Sequence, residues 1–267
     1  MHVYVTNLAR SVDRRTHITA ELRKTGLDYE IMTAVDGRDL DLHDSAVIDS
    51  SMIARNSLPA GTAGCALSHL QVYQRIIADG LNEALILEDD VTLPADLGSL
   101  AVAVADQLTG AEVALLSYES KDTCKISPEG SVDLPSSRML AFPIDVSQLI
   151  GAAAYVITRE ACKRMNESMP PVRANADDWR FFYKEGILDR VRCVLPLPVV
   201  KNPKLESTIG SYSLGSGLKA RLLAPLVRNK IPLLHQAIIY RRQRIFREWN
   251  RSEIVDVPFV DKPSRLG

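Results

Sequence analysis

Glu83-Ala84-Leu85-Ile86-Leu87-Glu88-Asp89-Asp90-Val91 decides how this chain is read. Leu85 to Leu87 is a short apolar run, the pattern of a buried strand. It runs into three successive carboxylates. Like charges crowded at the end of a buried strand repel one another and resist desolvation. A hard cation resolves the conflict, because Mg²⁺ or Mn²⁺ prefers oxygen ligands and completes its shell with water and phosphate oxygens. The stretch therefore predicts a phosphate-bearing substrate at the carboxyl end of a strand. The plainer alternative is a solvated acidic turn. Strand alternation puts Glu88 and Asp90 on one side and Asp89 on the other. Glu88 and Asp90 are then the candidate metal ligands, Asp90 foremost, and Asp89 reaches a ribose hydroxyl or braces the loop.

Upstream, His2 to Leu8 carries a strand signal, Ser11 offers an N-cap, and Ile18 and Leu22 give a helix its apolar positions before Gly26 stops it. Tyr29 to Val35 reads as a second strand. This strand–helix–strand opening predicts a parallel α/β unit. Asn7, Arg10, Arg14 and Arg15 follow the first strand, where an open α/β sheet holds a nucleotide. The arginine fork suits a diphosphate, and a solvated helix face accounts for at least one of Arg14 and Arg15. No G-x-G-x-x-G or P-loop occurs, which argues against a nicotinamide or Walker-type site. Residues 38–60 read as irregular, and Ala60 to Gly64 as a flexible, small-residue entry to a helix over Cys65 to Asp79. Near that helix's start Ser68 and His69 are candidate phosphate or acceptor contacts, or equally partners of a neighbouring loop.

Downstream, Leu97 to Leu108 reads as a helix and Val113 to Ser117 as a strand. Residues 118–148 are polar and turn-rich and read as a long functional loop. Leu149 to Ile157 is apolar, and Thr158 is positioned to cap a helix carrying Cys162 and Met165. Asp177-Asp178-Trp179 opens a short helix ending near Gly186. Asp177 and Asp178 admit two readings: an N-cap with a first-turn charge, or a general base that takes a proton from a hydroxyl nucleophile. Trp179 either stacks on a sugar or belongs to the core. Val191 to Val200, interrupted by Pro196 and Pro198, reads as an edge strand or a strand end.

With 267 residues, 46% of them hydrophobic, the chain can bury a sizeable core, and a formal charge of -1 argues against a protein that coats nucleic acid. The four cysteines show no zinc-type spacing and are expected as free thiols in a reducing compartment. No basic segment followed by an apolar one precedes the first strand, so no secretory signal is expected. No apolar run approaches transmembrane length. Leu218 to Arg251 is different. It interleaves nine Lys or Arg residues and one Glu with apolar and aromatic side chains, the composition of amphipathic helices on an anionic membrane surface. A basic appendage packed on the domain is the alternative. Residues 1–215 are expected as the catalytic domain and 216–267 as a basic, helical extension.

In order along the chain, five motifs resemble glycosyltransferase family 25, the lipooligosaccharide and lipopolysaccharide glycosyltransferases related to collagen galactosyltransferases. They are Asn7-Leu8 with Arg10 and Arg14, Ala34-Val35-Asp36-Gly37, Gly64-Cys65-Ala66-Leu67-Ser68-His69, Leu85 to Val91, and Gly151 to Ile157. The resemblance covers roughly residues 1–205. It implies a GT-A-like nucleotide-binding α/β/α sandwich, a UDP-galactose or UDP-glucose donor, and Mn²⁺ or Mg²⁺. It implies an inverting transfer to a lipid-linked oligosaccharide at the cytoplasmic face of the inner membrane, by a peripheral enzyme. Carried over by position, Asn7, Arg10 and Ala34 to Asp36 sit by the nucleotide, and Glu88 to Asp90 take the place of a D-x-D motif, although the sequence reads E-D-D. Two other functions remain at this stage: a metal-dependent nucleotidyl- or phosphohydrolase, and a non-catalytic membrane-surface binding module.

Overall fold

The computed structural model describes residues 1–54, 59–120, 123–205, 240 and 252–255. Its elements are β1 (His2–Asn7), α1 (Val12–Arg23), β2 (Tyr29–Thr33), α2 (Ser50–Ala54), α3 (Ala60–Ala78), β3 (Glu83–Glu88), β4 (Val91–Thr92), α4 (Leu97–Ala105), β5 (Glu112–Glu119), β6 (Cys124–Leu134), β7 (Arg138–Pro143), β8 (Ile150–Thr158), α5 (Arg159–Ser168), α6 (Trp179–Lys184), β9 (Arg190–Leu195), β10 (Val200–Lys201) and β11 (Ser252–Ile254). Apart from Tyr240, the basic segment Leu218 to Arg251 lies outside the described residues, and so does the expected domain boundary at 215/216.

Nine strands form one mixed sheet in the order β11-β6-β7-β9-β5-β8-β3-β1-β2. β1 pairs in parallel with β2 and β3, while β8 runs antiparallel to both β3 and β5. Alternation along the central strands sends side chains to two cores. Tyr4, Ala84 and Ile86 pack under α3, α5 and α6. Val3, Val5, Leu85 and Leu87 pack under α1 and α4. The fold is an α/β sandwich with helices on both faces of a central sheet, as the opening strand–helix–strand pattern predicts.

Two segments depart from the sequence reading. Residues 118–148 are not a long loop: they hold the β6–β7 hairpin, which joins the sheet through β9. Pro128 and Gly130 sit where the β6–β7 register shifts, between Ser127 and Val132. The turn residues Ser136 and Ser137 adopt positive φ. The turn-forming residues therefore mark an irregular hairpin rather than a loop. Consistent with this, β9 is internal, and Pro196 and Pro198 lie beyond its end. Thr158 caps α5 by accepting from the Ala161 N–H at 3.2 Å, as expected.

Ala60 to Gly64 is likewise not a flexible entry but the first turn of α3. Small residues are required there because two backbones touch. A Cβ on Gly64 would lie 2.6 Å from the Val35 carbonyl oxygen and 2.7 Å from the Gly37 nitrogen, and one on Gly37 would lie 1.8 Å from the Ala60 carbonyl oxygen. The α3 N-terminus thus rests on the loop after β2. Ser68 fastens the contact: its Oγ accepts from the Val35 N–H at 2.8 Å and donates to the Gly64 carbonyl at 2.6 Å.

Gly64→Ala should cost about 1–3 kcal/mol or more in urea denaturation, since both obstructing atoms belong to the backbone and cannot rotate away. Gly98→Ala in α4 meets the Leu27 side chain at 3.3 Å and the Thr25 carbonyl oxygen only at 4.0 Å, and should stay within about 1 kcal/mol of the parent, where alanine's helix preference offsets the contact.

Candidate active site at the carboxyl edge of the sheet

The parallel set β2-β1-β3 brings three strand ends to one edge: Asn7, the Thr33–Asp36 segment and Glu88. The chain leaves β1 for β2 on one side and takes up β3 on the other. That change of direction opens the crevice where α/β sheets hold ligands. Glu119 at the end of β5 and Gly151 near the start of β8 lie at the same edge. β10 pairs with β4, which brings Lys201 there too.

β3 ends at Glu88, so strand alternation does not extend through the acidic triplet. The alternation that set Glu88 and Asp90 apart from Asp89 therefore does not apply here. Asp89 and Asp90 are both buried and share one cation. Arg14 Nη2 lies 2.7 Å from Asp89 Oδ1 and 2.6 Å from Asp90 Oδ2. The Asn7 side-chain amide, itself buried, donates to Asp89 Oδ2 at 2.6 Å. Asp89 is therefore a brace. The second oxygen of Asp90, Oδ1, is buried with no hydrogen-bond partner among the described residues. Removing Arg14 would strand two buried carboxylates, a loss on the order of 3–5 kcal/mol. Arg15, in contrast, is exposed, the solvated residue of the pair.

Several backbone ties hold the turn in place. The Asn202 N–H donates to the Asp90 carbonyl at 2.7 Å. From α1, His17 Nε2 lies 2.8 Å from the Val91 carbonyl, and Glu21 accepts from the Leu93 N–H at 2.9 Å.

Glu88 points to different neighbours. It is half-buried, and one of its carboxylate oxygens lies within 4.8 Å of a ligand atom on each of Cys65 and His69 in α3. Burial pushes its pKa up to about 7; the Lys201 ammonium opposes that shift, and Asp90 adds to it. Lys201 also pairs with Glu119 at 3.2 Å. His69 is fully buried, and burial pushes its pKa down to about 4, so it stays neutral. Its Nδ1 lies 2.6 Å from Tyr155 Oη, which lies 2.7 Å from Tyr73 Oη.

The other expected site residues are also placed. Ala34 donates its N–H to the Asn7 carbonyl at 2.9 Å, and Val35 is held by Ser68. Ser68 is buried and spends its hydroxyl on that bond and on Gly64, so it supports the Ala34–Asp36 segment from beneath. Arg10 is partly exposed and lies 3.1 Å from Asp36. The Arg38 guanidinium and N–H, with Arg10 beyond, hold the Asp36 carboxyl at about 2. Asp177 accepts from the Gly151 N–H at 2.9 Å, fixing a glycine at φ +100°. It is also one of the charges acting on Cys65. Asp178 is the N-cap of α6, accepting from the Phe181 N–H at 3.1 Å. It also lines a cavity of about 500 Å³ with Asp49, Arg173 and Phe181. Trp179 is fully buried, edge-on to Tyr155 with ring centroids 5.3 Å apart, and belongs to the core.

Sequence reasoning missed Cys65, Lys201 and Glu119. The Cys65–His69 spacing of four on a helix was a usable signal. Lys201 and Glu119 had none, because only the sheet brings them together.

The carboxylate-rich crevice thus lies at the strand switch of a two-faced α/β sandwich. The chain matches the profile of glycosyltransferase family 25 (LPS biosynthesis protein) over residues 1–179, and it belongs to that family. Lacto-N-neotetraose biosynthesis glycosyltransferase LgtE of Neisseria meningitidis serogroup B is 25% identical over 231 residues, covering 79% of this chain and 80% of the relative. A glycosyltransferase 25 family member of Anopheles gambiae is 33% identical over 99 residues, and procollagen galactosyltransferase 1 of Danio rerio is 32% identical over 96. These two matches cover 34% and 33% of this chain and, in each case, only 16% of the relative's length. Among the described residues no helix is long and apolar enough to cross a membrane.

Glu88 makes stability depend on pH in the metal-free protein. Its folded pKa, about 7, lies above the ordinary 4.5, so the folded state holds a proton that the unfolded chain releases. Stability is full below 4.5 and falls as pH rises towards 7. In urea denaturation across that range Glu88→Gln should flatten the decline and exceed the parent's stability above pH 7. An unchanged decline would remove Glu88 as its source.

Proposed function

We propose that this family member is a glycosyltransferase that moves a hexose, galactose or glucose, from a UDP-sugar to a lipid-linked oligosaccharide such as a lipooligosaccharide or lipopolysaccharide core. In this reading the transfer inverts the anomeric centre and is assisted by Mn²⁺ or Mg²⁺. The observation that carries it is the buried Asp90 Oδ1, without a hydrogen-bond partner among the described residues, at the edge where Asn7, Arg10, Ala34 to Asp36 and Glu88 converge. An orphaned carboxylate oxygen next to a carboxyl group that burial drives towards protonation fits a hard divalent ion, which takes oxygen donors and removes both costs. Asp90 and Glu88 would hold it. When bound, the ion supplies charge stabilisation to the departing diphosphate.

The protein's own groups take the remaining roles. Arg10, half exposed at the rim, shares the diphosphate charge, while Asp36 orients it and, with Ala34 and Val35, frames the nucleotide. Asp89, tied to Asn7 and Arg14, fixes the turn. Ser68 and His69 act from beneath, Ser68 by holding Val35. The general base is Asp177 or Asp178. The cavity shared by Asp178 and Arg173 favours entry of an acceptor from the α6 side. The likeness to LgtE over most of both chains favours an oligosaccharide acceptor. The basic, apolar-interleaved segment 218–251 favours docking on an anionic membrane, so the reading places the enzyme on the inner, cytoplasmic face.

The reading is tested by thermal unfolding with UDP, GDP and CMP sugars, with and without Mn²⁺. Binding to the native state raises the midpoint according to affinity. A UDP-specific, Mn²⁺-dependent rise is expected, lost in Asp90→Asn together with hexosyl transfer while the far-UV spectrum is unchanged. Near-full transfer by Asp90→Asn would overturn the metal assignment, and nucleotide release independent of acceptor would point to a hydrolase.

A further inference from the structure

We propose that Cys65, His69 and Glu88 form a binding site for a borderline transition-metal ion of the Zn²⁺ class, distinct in donor chemistry from the hard-cation position at Asp90. α3 and β3 define the site, whatever sugar is transferred. Cys65 and His69 stand four residues apart on α3, the spacing that puts two side chains on one helix face. With Glu88 at the end of β3 they bring a sulfur, a ring nitrogen and a carboxylate oxygen within 4.8 Å of one another. Ligands around a tetrahedral zinc ion sit roughly 3.5 Å apart, given metal–ligand distances of about 2.0–2.3 Å. Small side-chain rotations therefore close the site.

The independent observation is His69 itself. The residue is 1% exposed, and its Nε2 is buried with no hydrogen-bond partner among the described residues. Leaving a buried ring nitrogen unsatisfied is costly and calls for a ligand. The other nitrogen is already oriented by Tyr155, backed by Tyr73. Metal-binding histidines are held in this way: Nδ1 keeps the proton and donates it to a fixed acceptor, leaving the Nε2 lone pair for the metal. With an ion on Nε2, Tyr155 would accept from Nδ1 and donate to Tyr73, and the whole column is satisfied.

Charge and donor type agree. Burial first, and then the carboxylates of Glu88, Asp177 and Asp90, push the Cys65 thiol up, against Lys201; the same carboxylates favour a positive ion, and an ion beside the sulfur favours its thiolate. Lys201 retains Glu119 as a partner when Glu88 turns to a metal. A thiolate, an imidazole and one carboxylate select Zn²⁺ or Co²⁺ over Mg²⁺ or Mn²⁺, which take oxygen shells. Three protein donors leave a fourth position for solvent.

Cobalt titration of the metal-free full chain tests this directly, since Co²⁺ reports its ligands by absorption. A stoichiometric thiolate-to-cobalt charge-transfer band with tetrahedral visible bands is expected, displaced by Zn²⁺. Cys65→Ser should lose the charge-transfer band, and Tyr155→Phe should weaken binding about 10–100-fold through the lost support of Nδ1. Asp90→Asn should keep the cobalt spectrum while losing the Mn²⁺-dependent response to UDP, so the two metal assignments fail separately. A parent protein without the sulfur band, a band that survives Cys65→Ser, or a spectrum lost in Asp90→Asn would each overturn the proposal.

Discussion

Three consecutive acids at the end of a buried strand must be neutralised where they stand, and the arrangement around Glu88 to Asp90 follows from that electrostatic demand. Water reaches little of Asp89 and Asp90, so the protein itself supplies the opposite charge and the hydrogen bonds. α1 delivers Arg14 to both carboxylates. β1 ends in Asn7, which donates to Asp89. β10, which follows β9, holds the turn's backbone through Asn202 and sets Lys201 beside Glu88. The compensation stops short of completion. Asp90 Oδ1 has no hydrogen-bond partner among the described residues, and Glu88 holds its proton up to about neutrality. That deficit at one edge of the sheet is what a cation would remove.

A steric constraint works beside the electrostatic one. Gly37 and Gly64 let the start of α3 lie directly on the backbone after β2. Ser68 then ties the two together, and Cys65 and His69 come to face the end of β3. The helix is placed by contact between backbones, which leaves little room for adjustment. Below it, the His69–Tyr155–Tyr73 column carries polar groups through an otherwise apolar core and meets Trp179 of α6 edge-on. The same region fixes Gly151, held by Asp177 on its N–H and by the Trp179 indole on its carbonyl at 3.0 Å. The metal-ligand candidates and the candidate base Asp177 are thus mounted on one rigid body, which suits a reaction that depends on positioning.

The crevice offers two kinds of donor within a few residues. In the proposed readings Asp90 with Glu88 is an oxygen pair, and Glu88 with Cys65 and His69 is a mixed set. Glu88 would serve both, so an ion that draws it towards α3 would take it from Asp90. Donor softness alone therefore separates the two positions.

The sequence by itself determined the period-two apolar runs, the strand–helix–strand opening, the cap at Thr158, and the acids after Leu87. These are local properties, written in spacing and in residue type. It also pointed to the edge where Asn7, Arg10, Asp36 and Glu88 to Asp90 meet, because parallel strands bring their carboxyl ends together. Tertiary structure alone decided which charge answers which. Arg14 rather than solvent meets Asp89 and Asp90, Lys201 arrives from more than a hundred residues away, and the strand stops at Glu88 so that alternation no longer sorts the acids. It also turned residues 118–148 from an apparent loop into a hairpin, since a bulged strand with Pro128 and Gly130 loses the alternation that marks a strand. The physical reason is common to these cases: pairing of charges and of strand edges is a long-range choice, set by which backbones the packed helices allow to approach.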